Sequence, residues 1–113
     1  MTPDDLRRLA LALPEAEERE TWGEATFRVR GKIFLMMSAD GSSASVKATR
    51  DEQDIIIASD PACFSVAPYT GRFGWVRVKL AKVDPDMMAV LVDEAWRQTA
   101  PKKLVTDFDA LPS

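Results

Sequence analysis

Apolar residues recur at Leu6, Leu9, Ala10 and Leu13, the spacing that lays one apolar stripe along a helix. Thr2-Pro3-Asp4-Asp5 in front of them supplies an N-cap, a proline at the first helical position and acids in the first turn. A helix is therefore predicted from about Pro3 to Leu13, where Pro14 stops it. After an acidic connector, Thr26-Phe27-Arg28-Val29-Arg30 alternates apolar and basic, and Gly31-Lys32 leads into the apolar run Ile33 to Met37. That pattern reads as a tight hairpin. Asp40-Gly41 is a second turn signal, and Ser43 to Ala48 reads as a third antiparallel strand. Thr49-Arg50-Asp51-Glu52 has the spacing of a capping box, so a short helix is expected, although Ile55-Ile56-Ile57 taken alone fits a strand equally well. Phe64 to Ala67 reads as a brief strand before the Pro68-Tyr69-Thr70-Gly71 turn. Trp75-Val76-Arg77-Val78-Lys79-Leu80 then alternates cleanly as another strand. Asp84-Pro85 opens a last helix, whose Met88, Leu91, Val92, Ala95 and Trp96 share one face and which Pro101 closes.

The order α-β-β-β-α-β-β-α predicts an α+β fold in two layers, an antiparallel sheet of about five strands with helices packed on one face. The chain has 113 residues, 46% of them hydrophobic, enough for one domain with its own core. We assign residues 1–104 to that domain and 105–113 to a loosely held C-terminal tail. There is no histidine and a single cysteine, which excludes His–Cys zinc sites, Ser–His and Cys–His catalytic pairs and disulfides within the chain. Cys63 beside Phe64 reads as a small buried apolar residue rather than a nucleophile. The expectation is a non-enzymatic, monomeric protein with no cofactor. No apolar run reaches the length of a membrane span, and Met1-Thr2-Pro3-Asp4-Asp5 is acidic where a secretory signal is basic. A soluble cytoplasmic protein without a membrane partner is expected.

The formal charge of −3 speaks against a general nucleic-acid binder, but it hides a partition. Residues 1–24 carry a net −4, 25–50 a net +4, 51–61 a net −4, 62–82 a net +4 and 83–113 a net −3. Bases thus concentrate where strands are predicted and acids where helices are. Side chains two apart in a strand share a face, so Arg28 pairs with Arg30 and Arg77 with Lys79. With Phe27, Val29, Val76 and Val78 turned to the helices, the four bases share the open face. That face fits two descriptions: a solvated surface whose long basic chains cover apolar ground, or an anion-binding surface.

Pro68-Tyr69-Thr70-Gly71-Arg72-Phe73-Gly74-Trp75-Val76 is the most informative stretch. Its Gly71-Arg72-Phe73-Gly74 has the GxxG form of a KH domain, but that loop joins two helices and this one enters a strand. Phe73-Gly74-Trp75-Val76 echoes the aromatic strand of an RRM, whose β-α-β-β-α-β order is not the order here. Two readings stay open. Either the glycines serve a turn with Tyr69 and Trp75 in the core, or the loop presents Tyr69, Arg72 and Phe73 for stacking and phosphate contact. Lys102 and Lys103 after the last helix complement its C-terminus or extend a phosphate track. Asp51, Glu52 and Asp54 read as a solvated helix start rather than a cation site, and Trp22-Gly23 as a hydrophobic plug.

Taken together, Thr26-Phe27-Arg28-Val29-Arg30-Gly31-Lys32-Ile33-Phe34, then Lys47, then Pro68-Tyr69-x-Gly71-Arg72-x-Gly74-Trp75-Val76, then Ala100-Pro101-Lys102-Lys103-Leu104 resemble the MmcQ/YjbR family from Leu6 to Leu104. The resemblance implies a compact α+β fold of the CyaY-like kind, shared with type III secretion chaperones, and a DNA-binding role. Nucleic-acid contacts are then expected from Arg28, Arg30, Lys32, Lys47, Tyr69, Arg72, Arg77, Lys79, Lys102 and Lys103. The alternative that the fold suggests is a protein-interaction module resembling a secretion chaperone, with a protein as partner. Many family members carry histidine where Phe73 and Glu24 stand here, so no pH-responsive or metal-assisted surface carries over to this chain.

Overall fold

The computed structural model describes residues 1–112. Thr2 caps α1 (Pro3–Leu11) as its pattern predicts: its hydroxyl accepts the Asp5 amide while the Asp5 carboxylate accepts the Thr2 amide. The same reciprocal cap, Thr49 with Glu52, starts α2 (Arg50–Ser59), which resolves the Ile55–Ile57 ambiguity in favour of helix. Glu52 is committed to that cap. Asp84 caps α3 (Pro85–Thr99) with Pro85 in its first turn, and Met88, Leu91, Val92, Ala95 and Trp96 are all buried.

The sheet has six antiparallel strands rather than five: β1 (Ala16–Thr21), β2 (Glu24–Val29), β3 (Lys32–Met37), β4 (Ser43–Val46), β5 (Phe64–Val66) and β6 (Val76–Lys79). Their spatial order is β1-β2-β3-β4-β6-β5. The added strand is β1, in the stretch expected to be an acidic connector. It is an edge strand, so it needs no apolar alternation. Its inward Glu18 opposes Phe27 in the register and pairs with Arg7 of α1 at 3.1 Å instead of entering the core. Trp22 and Gly23 form the hairpin turn between β1 and β2, Arg30 and Gly31 that between β2 and β3; all four have positive φ, which matches the right-handed twist of the strands.

The helical face of the sheet carries Phe27, Val29, Phe34, Leu35, Met37, Ala44, Val46, Phe64, Val76 and Val78, all buried. Phe34 and Leu35 are adjacent yet both fully buried, which strict alternation forbids. The register jumps there, Phe27 opposing Leu35 and Arg28 opposing Ile33, so Phe34 is the extra residue of a bulge. Over this face lie α1 and α3, with α2 against β5 and β6. Trp96, fully buried, donates its indole N–H to the Pro14 carbonyl at 3.1 Å, so its one polar atom is satisfied. Cys63 is also buried; desolvation pushes its thiol up, consistent with an apolar filler.

The segment expected to be a tail forms α4 (Lys102–Asp109) instead. Phe108 meets the Trp96 ring edge to face at 5.3 Å and Asp109 accepts from Arg97 at 2.8 Å, so the segment docks on α3. Ser113, the last residue of that expected tail, lies outside the described residues. Among the described residues no helix is long and apolar enough to cross a membrane.

Candidate functional site

The loop from Ala67 to Trp75 is built to hold still. Gln53 of α2 is buried and donates through Nε2 to the carbonyls of Gly71 and Trp75, both at 2.8 Å. Gly74 has φ +106, and a Cβ there would stand 2.5 Å from the Ala48 oxygen and 2.6 Å from the Thr49 carbonyl carbon. Both neighbours are backbone, so only glycine fits. Thr70 to Phe73 make one 3-10 turn, closed by the Gly74 amide on the Gly71 carbonyl. Tyr69 has φ 62 and ψ −53, and the Thr70 amide donates across it to the Pro68 carbonyl at 2.6 Å. That is a γ-turn of the rarer, positive-φ form, strained for any residue with a side chain. The result is a fixed loop whose outward side chains are Tyr69, 95% exposed, Arg72, and Phe73. The Arg72 guanidinium lies over the Phe73 ring at 4.7 Å. The placement of Tyr69 in the core is thereby overturned, while Trp75 is buried as expected.

The register fixes the open face. Arg77 stands between Ser45 and Ser65, Lys79 beside Ser43, Thr26 opposite Met36, and Arg28 opposite Glu17 and Ile33. Arg28 folds back along the sheet, donating to the Thr26 and Thr21 hydroxyls at 3.3 and 3.2 Å. Among the described residues none of Arg28, Arg72, Arg77 and Lys79 forms a salt bridge. Two acids share this face: Glu17, paired with Arg19 at 3.2 Å, and Glu24. A groove of about 360 Å³ runs over it, with Met36, Ser43, Ser45 and Arg77 on the sheet side, Pro68 to Thr70 along one wall and Glu24 opposite.

Five of the ten candidate residues thus gather here: Arg28, Arg77 and Lys79 on the face, Tyr69 and Arg72 on the loop. The other five do not join them. Arg30 belongs to the hairpin turn, not the strand, and is held by Glu15 through two hydrogen bonds of 2.6 and 2.9 Å. Lys32 opposes the inward Val29 and so projects toward the helical side at the hairpin end. Lys47 lies beyond the end of β4 and lines a groove between α2 and α3. Lys102 and Lys103 open α4, which packs on α3 across the sheet from this face, and Lys103 pairs with Asp107.

Trp22, expected as a plug, is 98% exposed at the β1–β2 turn, because β1 is a strand and its turn residue has nothing beneath it. Met36, Ser43, Ser45, Glu24 and Gln53 were missed. A Trp-Gly pair before the alternating Glu24-Ala25-Thr26-Phe27 is the one signal that could have marked the first hairpin.

A family model described as YjbR matches residues 11–98. The crystal structure of Deinococcus radiodurans protein DR2400, described as a DUF419 domain, superposes with a TM-score of 0.78 at 18% identity, covering 86% of this chain and 77% of that one. At that identity the likeness shows the shared fold alone. No curated protein matches this chain.

Proposed function

The chain belongs to the YjbR family, and from that premise we propose that it is a non-enzymatic, monomeric protein that binds DNA weakly and without sequence preference through the open sheet face and the Tyr69–Gly74 loop. The observation that carries this reading is the group Arg72, Arg77 and Lys79, exposed bases without carboxylate partners among the described residues, beside an exposed aromatic on a fixed loop. Arg28 flanks them. Across the sheet α2 and α3 carry a net negative charge, but α1 and α4 are neutral, and the acids of residues 15–24, expected outside the sheet, lie in and beside β1, so the separation of acidic helices from a basic sheet is only partial. The edges favour a monomer: β1 carries Glu17, Glu18, Arg19 and Glu20, and β5 at the other edge has three residues, both features that discourage strand addition.

Three to four phosphate contacts on duplex DNA imply a slope of log K on log salt of about −3 to −4, with affinity weaker than about micromolar at physiological salt. Arg77→Ala with Lys79→Ala is expected to flatten that slope by about 2 and weaken all sequences alike, since phosphate contacts carry no base information. Lys102→Ala with Lys103→Ala, on the far side, should change neither. A salt titration of labelled duplex against the three proteins decides the matter; binding unchanged by the first pair returns the face to a solvated surface.

One feature favours the alternative of a protein partner. Ile55 and Val90, both more than half exposed, line an apolar groove of about 220 Å³ between α2 and α3. A partner there would be lost with Ile55→Asp and indifferent to the Arg77 and Lys79 substitutions.

A further inference from the structure

Building on the reading of the open face as a nucleic-acid surface, we infer that the groove beside Tyr69 seats an unpaired base, so that single-stranded nucleic acid is the preferred ligand over duplex. The chemistry of the groove is wrong for a phosphate and right for a neutral heterocycle. Its sheet side offers the thioether of half-buried Met36 and the hydroxyls of Ser43 and Ser45, and its far wall is the Glu24 carboxylate. A carboxylate repels phosphate but accepts hydrogen bonds from base amino and imide N–H groups. The cations stand at the margin instead: Arg77 lines the groove, Lys79 follows on the same face and Arg72 projects from the loop. Phosphates on either side of a seated base would meet them.

Tyr69 supplies the stacking surface. Its ring is 95% exposed although nothing in the fold needs it there, and its strained backbone is held by the hydrogen bonds of Gln53 and the close packing of Gly74 beneath. Strain maintained around an exposed aromatic is a mark of presentation. In a duplex the faces and edges that such a groove takes are stacked and paired.

The test compares a labelled oligothymidylate, which has no pairing of its own, with a duplex of equal length at low salt. Anisotropy is read for the wild type, Tyr69→Gly, Tyr69→Phe and the Arg77→Ala/Lys79→Ala pair. Glycine accepts the φ of this position, so Tyr69→Gly keeps the loop backbone, and circular dichroism confirms the fold. The wild type is expected to bind the single strand about tenfold more tightly than the duplex, a difference that Tyr69→Gly abolishes by weakening the single strand alone. Tyr69→Phe, which keeps the ring, should preserve the preference, and the Arg77/Lys79 pair should weaken both ligands. Duplex binding as tight as single-strand binding, or a Tyr69→Gly loss shared equally by both, overturns the base seat while leaving the DNA reading intact. Failure to bind either ligand overturns both.

Discussion

At the scale of single residues, Tyr69 sets ligand presentation against stability. A side chain held in a positive-φ γ-turn costs about 1–3 kcal/mol, and a ring this exposed recovers little by packing. Glycine removes the strain and adds roughly 0.5–1 kcal/mol of lost unfolded-state entropy. Tyr69→Gly is therefore expected to stabilise the fold by about 1 kcal/mol, seen as a higher denaturant midpoint at unchanged slope. A fall in the midpoint would mean that the ring makes contacts in solution that this geometry lacks. Arg30 is the opposite case: its two bonds to Glu15 hold that carboxylate below its usual range, but both partners are exposed and solvent screens them.

The decisive element is the loop between β5 and β6 together with the helix beneath it. Gln53 is the one polar residue of α2 that is buried, and its side-chain NH2 donates to the Gly71 and Trp75 carbonyls. Gln53→Ala removes one of the two donors at each carbonyl, leaving the Gly74 amide on Gly71 and the Ala67 amide on Trp75, and the two lost hydrogen bonds are expected to cost about 2 kcal/mol. Hydrogen exchange should rise first in residues 68–75, with α1 and α3 unaffected until global unfolding. An even rise across the sheet would show that the loop and core open as one unit. The β2–β3 bulge works at the same scale, turning two neighbouring residues, Phe34 and Leu35, into one core layer.

For the whole molecule, the absence of histidine has a direct thermodynamic result. No side chain of ordinary pKa titrates between roughly pH 5 and 8, so stability should be nearly flat there. Acid is different. The Ser42 amide, then the Ser42 and Ser38 hydroxyls, donate to Asp40 and hold its carboxyl down to about 2. Asp5 and Glu52 are lowered chiefly by the cap amides of Thr2 and Thr49, Glu15 by Arg30 and Asp109 by Arg97. Carboxyls lowered in the folded state contribute stability that is full above their unfolded values and lost as pH falls through the folded ones. Denaturant midpoints are therefore expected to hold level near neutrality and drop from about pH 4.5 toward 2. Asp40→Ala should lower the neutral midpoint and make the drop shallower; an unchanged acid limb would remove Asp40 from this account.

What the chain determined by itself is what local chemistry controls. Thr2 and Thr49 place helix starts because a cap needs only residues three apart, and the stripe from Met88 to Trp96 is legible because one helix face meets one core. Arg77 and Lys79 share a face by the two-residue period of a strand alone. The rest required the partners to be in place. β1 has no apolar alternation because it is an edge whose inward Glu18 finds Arg7 on a helix eleven residues earlier in the chain. Arg30 left the basic face because a hairpin turn took its backbone, and Lys102 and Lys103 left it because α4 docked on Trp96. The exposure of Trp22 and Tyr69 was decided the same way, since an aromatic residue is buried or displayed according to what lies over it. What lies over it is set by strand order and register, which no short stretch of sequence encodes.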